Sequence, residues 1–99
     1  MTCPSTALTS GDSTKKITVG TLSREYILHV PSGYTGSTAV PLVVDFHPIG
    51  GSDTEWRSAS PYPAVIDKEG VISAFPNGEP SPNLGNAWNV EGCCTSPIT

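Results

Sequence analysis

The sequence predicts an α/β fold, an antiparallel hairpin followed by a βαβ unit on one sheet. Two nearly continuous apolar runs, residues 41–47 and 71–75, are rich in β-branched side chains. Runs of this length and composition suit strands buried on both faces, as in a parallel sheet. Between them lies a stretch with helix start and stop signals. Ahead of them, residues 16–20 and 24–30 read as two shorter strands joined by a turn.

Residues 1–15 are rich in Thr, Ser and Gly without an apolar period and read as an arm. In residues 24–30, Tyr26, Leu28 and Val30 point one way and Glu25, Ile27 and His29 the other, the alternation of a strand with two unlike faces. Gly20-Thr21-Leu22-Ser23 supplies the hairpin connection, and residues 31–37 are dense in turn formers. After the first apolar run, Ser52 or Asp53 can cap a short helix, with Glu55 near its positive start. Pro61 and Pro63 break that helix. A second begins with Pro63 in its first turn, and Gly70 ends it. The second apolar run stops at Pro76-Asn77-Gly78. Residues 79–99 show no regular period and read as a loop excursion reaching Cys93 and Cys94. A βαβ unit with one helical region cannot cover both faces of a parallel sheet, so apolar faces are expected to stand open, as in the N-terminal part of a larger domain.

Composition narrows the function classes. Leu, Ile, Val and Phe make up 21 of 99 residues and the net charge is −4, enough apolar content for a thin core. No apolar run approaches the roughly 18 residues of a membrane helix, and five scattered Lys and Arg residues do not make the cationic cluster that nucleic acid requires. The three cysteines, Cys3, Cys93 and Cys94, lack zinc spacing; no metal or other cofactor is expected. In a polar, Gly- and Pro-rich sequence they read as disulfide candidates. Adjacent cysteines rarely bond each other, so Cys93 and Cys94 are expected to reach different partners, one of them outside this sequence.

These segments resemble a known family. Arg24-Glu25-Tyr26-Ile27-Leu28-His29-Val30-Pro31 with Gly33-Tyr34, then Pro41-Leu42-Val43-Val44-Asp45-Phe46-His47-Pro48-Ile49-Gly50-Gly51-Ser52, Glu69-Gly70-Val71-Ile72, Phe75-Pro76-Asn77-Gly78, and Trp88-Asn89-Val90 with Cys93-Cys94 are similar to the opening of fungal secreted feruloyl esterases. Those belong with polyhydroxybutyrate-depolymerase-like esterases among the α/β-hydrolases (carbohydrate esterase family one). The resemblance implies a secreted serine esterase acting on plant cell-wall polysaccharide esters, without a cofactor. In that fold the serine sits in a G-x-S-x-G elbow, followed by an acid and a histidine. The sequence has no G-x-S-x-G; Gly50-Gly51-Ser52 is followed by Asp53 and Thr54. The triad is therefore expected in a C-terminal remainder, in the same chain or as a disulfide-linked second chain, and these residues alone are expected to be inactive.

What the segment can supply is one oxyanion donor, from the loop written H-G-G in relatives. Here that loop is His47-Pro48-Ile49-Gly50-Gly51. Pro48 has no N–H, so the expected donor is the backbone N–H of Ile49. Gly50 and Gly51 permit close approach to substrate, Trp88 is a candidate pocket wall, and His47 is expected to brace the loop. Asp45, in an apolar strand, needs a partner; Trp56 reads as core and His29 as strand surface. An acetyl xylan esterase or a polyester depolymerase is the enzymatic alternative. A non-catalytic secreted module, disulfide-linked and binding through Trp56, Trp88 and the tyrosines, is the alternative of another class; it explains the two continuous apolar runs less well.

Overall fold

A computed structural model describes residues 8–90. The chain runs β1 (Gly11–Val19), β2 (Leu22–Val30), β3 (Leu42–Val44), α1 (Asp53–Ala59), α2 (Tyr62–Lys68), β4 (Ile72–Pro76), β5 (Glu79–Ser81) and β6 (Gly85–Ala87). The main sheet has the order β1-β2-β4-β3, and β5 and β6 form a separate two-stranded ribbon. The β1–β2 and β2–β4 pairs are antiparallel, whereas β3 and β4 are parallel. The architecture is thus α/β-like, a hairpin joined to a β3–α1–α2–β4 crossover.

The hairpin closes through Gly20-Thr21, with Gly20 at φ 62. A two-residue loop that needs positive φ only at its first position is the type II′ turn, whose twist matches that of the strands. β1 begins at Gly11, five residues ahead of the expected start, and pairs along its whole length with β2. Residues 11–15 therefore belong to the sheet rather than to an arm. They lack an apolar period because an edge strand with polar faces needs none; Lys15 and Lys16 keep that edge from pairing further.

The helices follow their signals. Ser52 Oγ accepts the Glu55 N–H, capping α1. α1 stops before Pro61, and α2 carries Pro63 in its first turn. At its end Gly70 takes φ 74, the Gly70 N–H donates to Asp67 O and the Val71 N–H to Ile66 O. This pair of bonds is a Schellman ending, which turns the chain directly into β4.

Both helices pack on the same face of the sheet. Ile27, Phe75, Ser73 and Ile66 are buried there, and the Arg57 guanidinium lies over the Phe75 ring. Asp45, just past β3, finds its partners in α1: Trp56 Nε1–H and Ser60 Oγ–H donate to its two carboxylate oxygens at 2.8 and 2.7 Å. Trp56 is thus only half-buried, its ring nitrogen bound to Asp45.

Among the described residues the opposite face carries no helix and is open over much of its area. Ile17, Val19, Tyr26, Leu28, Leu42, Val44, Ala74 and Pro76 line a shallow apolar trough of about 460 Å³. The run 41–47 is accordingly not a strand buried on both faces. Only Leu42–Val44 is regular, and Leu42 and Val44 are 60% and 46% exposed. β3 lies at the sheet edge, and all three of its residues, Val43 included, are exposed. The openness expected from counting helices is present; the burial expected from the apolar run is not.

The stretch after β4 also differs from a loop excursion. Residues 79–87 make the β5–β6 ribbon, closed by a turn in which the Leu84 N–H donates to Ser81 O and Asn83 takes φ 66. Pro82 followed by an Asn of positive φ is type II turn chemistry. Three-residue strands, one containing Pro80, are too short to show a period.

His29 is not a free surface side chain. Its ring joins β1, β2 and both helices, with Nδ1 against Asp12 and Nε2 3.0 Å from Asp67, while Arg57 Nε lies 3.0 Å from Asp12. Burial raises the Asp12 carboxyl, but the His29 and Arg57 hydrogen bonds and charges outweigh it and leave it below its ordinary value. A carboxylate lowered on folding adds stability above its unfolded value, near pH 4, and loses that contribution as pH falls through the folded value. Asp12→Asn is therefore expected to lower resistance to urea at pH 7 by at most about 1 kcal/mol, the scale of a solvent-screened pair. Variant and parent should converge in acid, measured as denaturation midpoints at pH 7 and at about pH 3.

Candidate functional site

The parallel pair sets the site. Chains leave β3 and β4 in the same direction, so residues 45–52 and 77–78 meet at one edge of the sheet. In open α/β sheets ligands bind outside the carboxyl ends of the strands.

Residues 48–51 form a β-turn, with the Gly51 N–H donating to Pro48 O at 3.0 Å. Gly50 occupies its third position at φ 83, which makes the turn type II and requires a residue without Cβ strain there. The Gly50 N–H donates to Asn86 O at 2.8 Å. Gly50 and Gly51 have thus both committed their amides, and Pro48 has none. Among the described residues the Ile49 N–H donates to nothing. Within the turn 48–51 it is the uncommitted donor among the described residues, on a residue that is half-exposed.

His47 holds the start of the loop. It is 2% exposed. Its Nε2 accepts the Gly78 N–H at 2.9 Å and its Nδ1 lies 2.7 Å from Pro48 O. A ring that accepts at Nε2 is neutral and donates at Nδ1, so both nitrogens are engaged. Trp88 closes the same corner: its Nε1–H donates to His47 O at 2.9 Å, and its ring packs against those of His47 and Phe46 with centroids 5.0 Å apart in each case. Phe46, Trp88, Asn89 and Val90 line a small, mostly apolar hollow.

The β5–β6 ribbon clamps the loop from the other side. A Cβ on Gly85 would stand 3.1 Å from Gly50 Cα, and a Cβ on Gly78 would stand 2.7 Å from Ala87 O. Asn77 sits between loop, helix and ribbon. Its Oδ1 accepts the Asp53 N–H at 3.1 Å and Asn86 Nδ2–H at 3.4 Å, and its own N–H donates to Glu25 O.

His47, Ile49, Gly50, Gly51 and Trp88 thus come together around one turn. Cys3, Cys93 and Cys94 lie outside the described residues. Phe46 and Asn77-Gly78 enter the sequence reading only within the segments that carry the resemblance, the latter also as a strand stop, with no role assigned, and Asn86 does not enter it. Among the described residues no cluster of His, Cys, Asp and Glu converges as metal ligands would.

No protein-family model matches the sequence. Two curated relatives do. One is feruloyl esterase B of Piromyces equi, 44% identical over 72 residues, which cover 73% of this chain and 13% of the relative. The other is feruloyl esterase B of Thermothelomyces thermophilus, 33% identical over 54 residues, covering 54% of this chain and 18% of the relative. The matched segments span less than a fifth of either relative's length. The chain has a feruloyl-esterase-like relationship, confined to this part of those proteins.

Because the atom nearest a Gly78 Cβ is backbone, Gly78→Ala must displace β6 or the loop. Overpacking of this kind costs about 1–3 kcal/mol. The variant is expected to melt lower than the parent and to lose the near-ultraviolet circular dichroism of Trp88, both measured in thermal scans.

Proposed function

We propose that these residues form the oxyanion-loop part of a secreted carboxylic ester hydrolase of the α/β-hydrolase kind, acting on feruloyl esters of plant cell-wall polysaccharide. The observation that carries this reading is the uncommitted Ile49 N–H, at the carboxyl end of a parallel strand pair, in a segment similar to two feruloyl esterases. A donor already held at a fixed turn position needs no reorganisation when charge develops on a carbonyl oxygen, which is the basis of oxyanion stabilisation.

In this reading a serine outside the sequence attacks the ester carbonyl. The tetrahedral oxyanion accepts hydrogen bonds from the Ile49 N–H and from a second amide beside that serine. A histidine, also outside the sequence, takes the serine proton and returns it to the departing alcohol. Water then releases the acid by the reverse route. His47 is not that histidine, because both its ring nitrogens are occupied and it is shut from solvent. Gly50 and Gly51 shape the turn beside the scissile ester, and Trp88 with Phe46 offers an apolar wall to the acyl group.

The partner in this reading is the remainder of the enzyme carrying the Ser-Asp/Glu-His triad, joined through one or more of Cys3, Cys93 and Cys94. The bare sheet face and the exposed apolar edge of β3 support it, since a parallel sheet is stable with both faces covered.

The turn allows a clean test. Ile49 occupies the second position of a type II turn, where proline is favoured. Ile49→Pro therefore preserves the turn while deleting the N–H, with Ile49→Ala controlling for loss of the side chain. In the full-length enzyme it is expected to lower kcat on a 4-nitrophenyl ester by about 10²–10³-fold, while Ile49→Ala, which retains the amide, stays within about threefold of the parent. Equal activity of Ile49→Pro and parent would sink the assignment. Residues 1–99 alone are expected to release no 4-nitrophenol above the buffer rate.

A further inference from the structure

We propose that Asn77 is a positioning residue for the Ile49 amide; the proposal rests on reading 47–51 as an oxyanion loop. The loop is anchored at three points, and residues 77 and 78 reach all of them. At its start, His47 Nε2 accepts the Gly78 N–H. In its middle, the Gly50 N–H donates to the carbonyl of Asn86, whose side-chain amide donates to Asn77 Oδ1. Past its end, the Asp53 N–H, the first of α1, donates to the same Oδ1. One acceptor oxygen therefore reaches the middle of the turn, through Asn86, and the segment past its end, while the adjacent Gly78 N–H holds its start; the Ile49 N–H between them is uncommitted.

Asn77 is itself fixed from the other side. Its N–H donates to Glu25 O at 2.9 Å. Its carbonyl accepts from Arg24 Nη2 at 3.3 Å, and Arg24 is further paired with Glu79 at the start of β5. Asn77 thus transfers the position of β2, a long and fully paired strand, to a loop that has no strand partner of its own. The side chain is half-buried, and the described bonds use it as an acceptor alone. The chemistry needed at this position is a short side chain with an oxygen at the amide carbonyl's place. Misplacement of a reacting group by about 1 Å can cost up to 10²-fold, so the effect belongs in kcat rather than KM.

The test uses the full-length enzyme, with Asn77→Ala, Asn77→Asp and Asn86→Ala assayed for kcat and KM on a 4-nitrophenyl ester and for amide hydrogen exchange at Gly50. Asn77→Ala is expected to lower kcat by about tenfold or more with KM within about twofold, and to speed Gly50 exchange. Asn77→Asp keeps the acceptor oxygen and should recover kcat to within about fivefold of the parent. Asn86→Ala cuts the same route at its other end; it should act in the same direction and add little to Asn77→Ala. Asp12→Asn, remote and mildly destabilising, should leave kcat unchanged, separating lost stability from lost position. If Asn77→Ala does not fold, Asn86→Ala decides, and an unchanged kcat there overturns the proposal. In an active parent, an unaltered kcat in Asn77→Ala, or an Asp variant as impaired as the Ala variant, overturns the role of Asn77 while the esterase reading stands. A parent that hydrolyses no ester overturns both.

Discussion

The bond from the Gly78 N–H to His47 Nε2 joins the segments that leave the two parallel strands, and the rest of the site depends on it. A buried N–H without an acceptor costs about 1–3 kcal/mol, so the two segments are held together by more than contact. Once they are tied, Pro48 O receives the second ring nitrogen and the Gly51 N–H, and the turn closes. The ribbon then has only one way to seat, because Gly78 and Gly85 leave space for backbone and nothing larger. Each later contact of the corner is made possible by that neutral, inaccessible imidazole.

The sheet divides the described residues into a helix-covered side and an open one. On the helix face, polar groups are matched across elements: Asp45 with Trp56 and Ser60, His29 with Asp12 and Asp67. On the other face lie apolar side chains of four strands over which no helix of the described residues packs. An apolar face this continuous is normal for the inner layer of a three-layer α/β domain and abnormal for an outer surface.

Much of this order was legible in the residues. Ser52, Pro63 and Gly70 marked the helix limits because capping and φ restrictions are local properties. The alternation of Tyr26, Leu28 and Val30 against Ile27 and His29 placed β2 because one of its faces is covered. What could not be read was set by partners distant in sequence. β1 extends to Gly11 only because β2 is long enough to pair with it. The β5–β6 ribbon exists because it rests on Gly50, and its own residues carry only turn signals. Position 49 could be singled out because Pro48 excludes itself as a donor, but that the Gly50 and Gly51 amides are spoken for depends on Asn86 and on the turn. The role of Asn77 could not be read for the same reason: it lies in four neighbours, Arg24, Glu25, Asp53 and Asn86, none of them adjacent to it in the chain.

The type II turn at 48–51 has an evolutionary consequence. An amide proton belongs to every residue but proline, so the chemistry assigned to position 49 survives nearly any codon change there. Its side chain, half in solvent, is free to vary. In the oxyanion reading, lineages could vary this side chain and keep the donor beneath it intact, so that selectivity drifts while turnover is conserved.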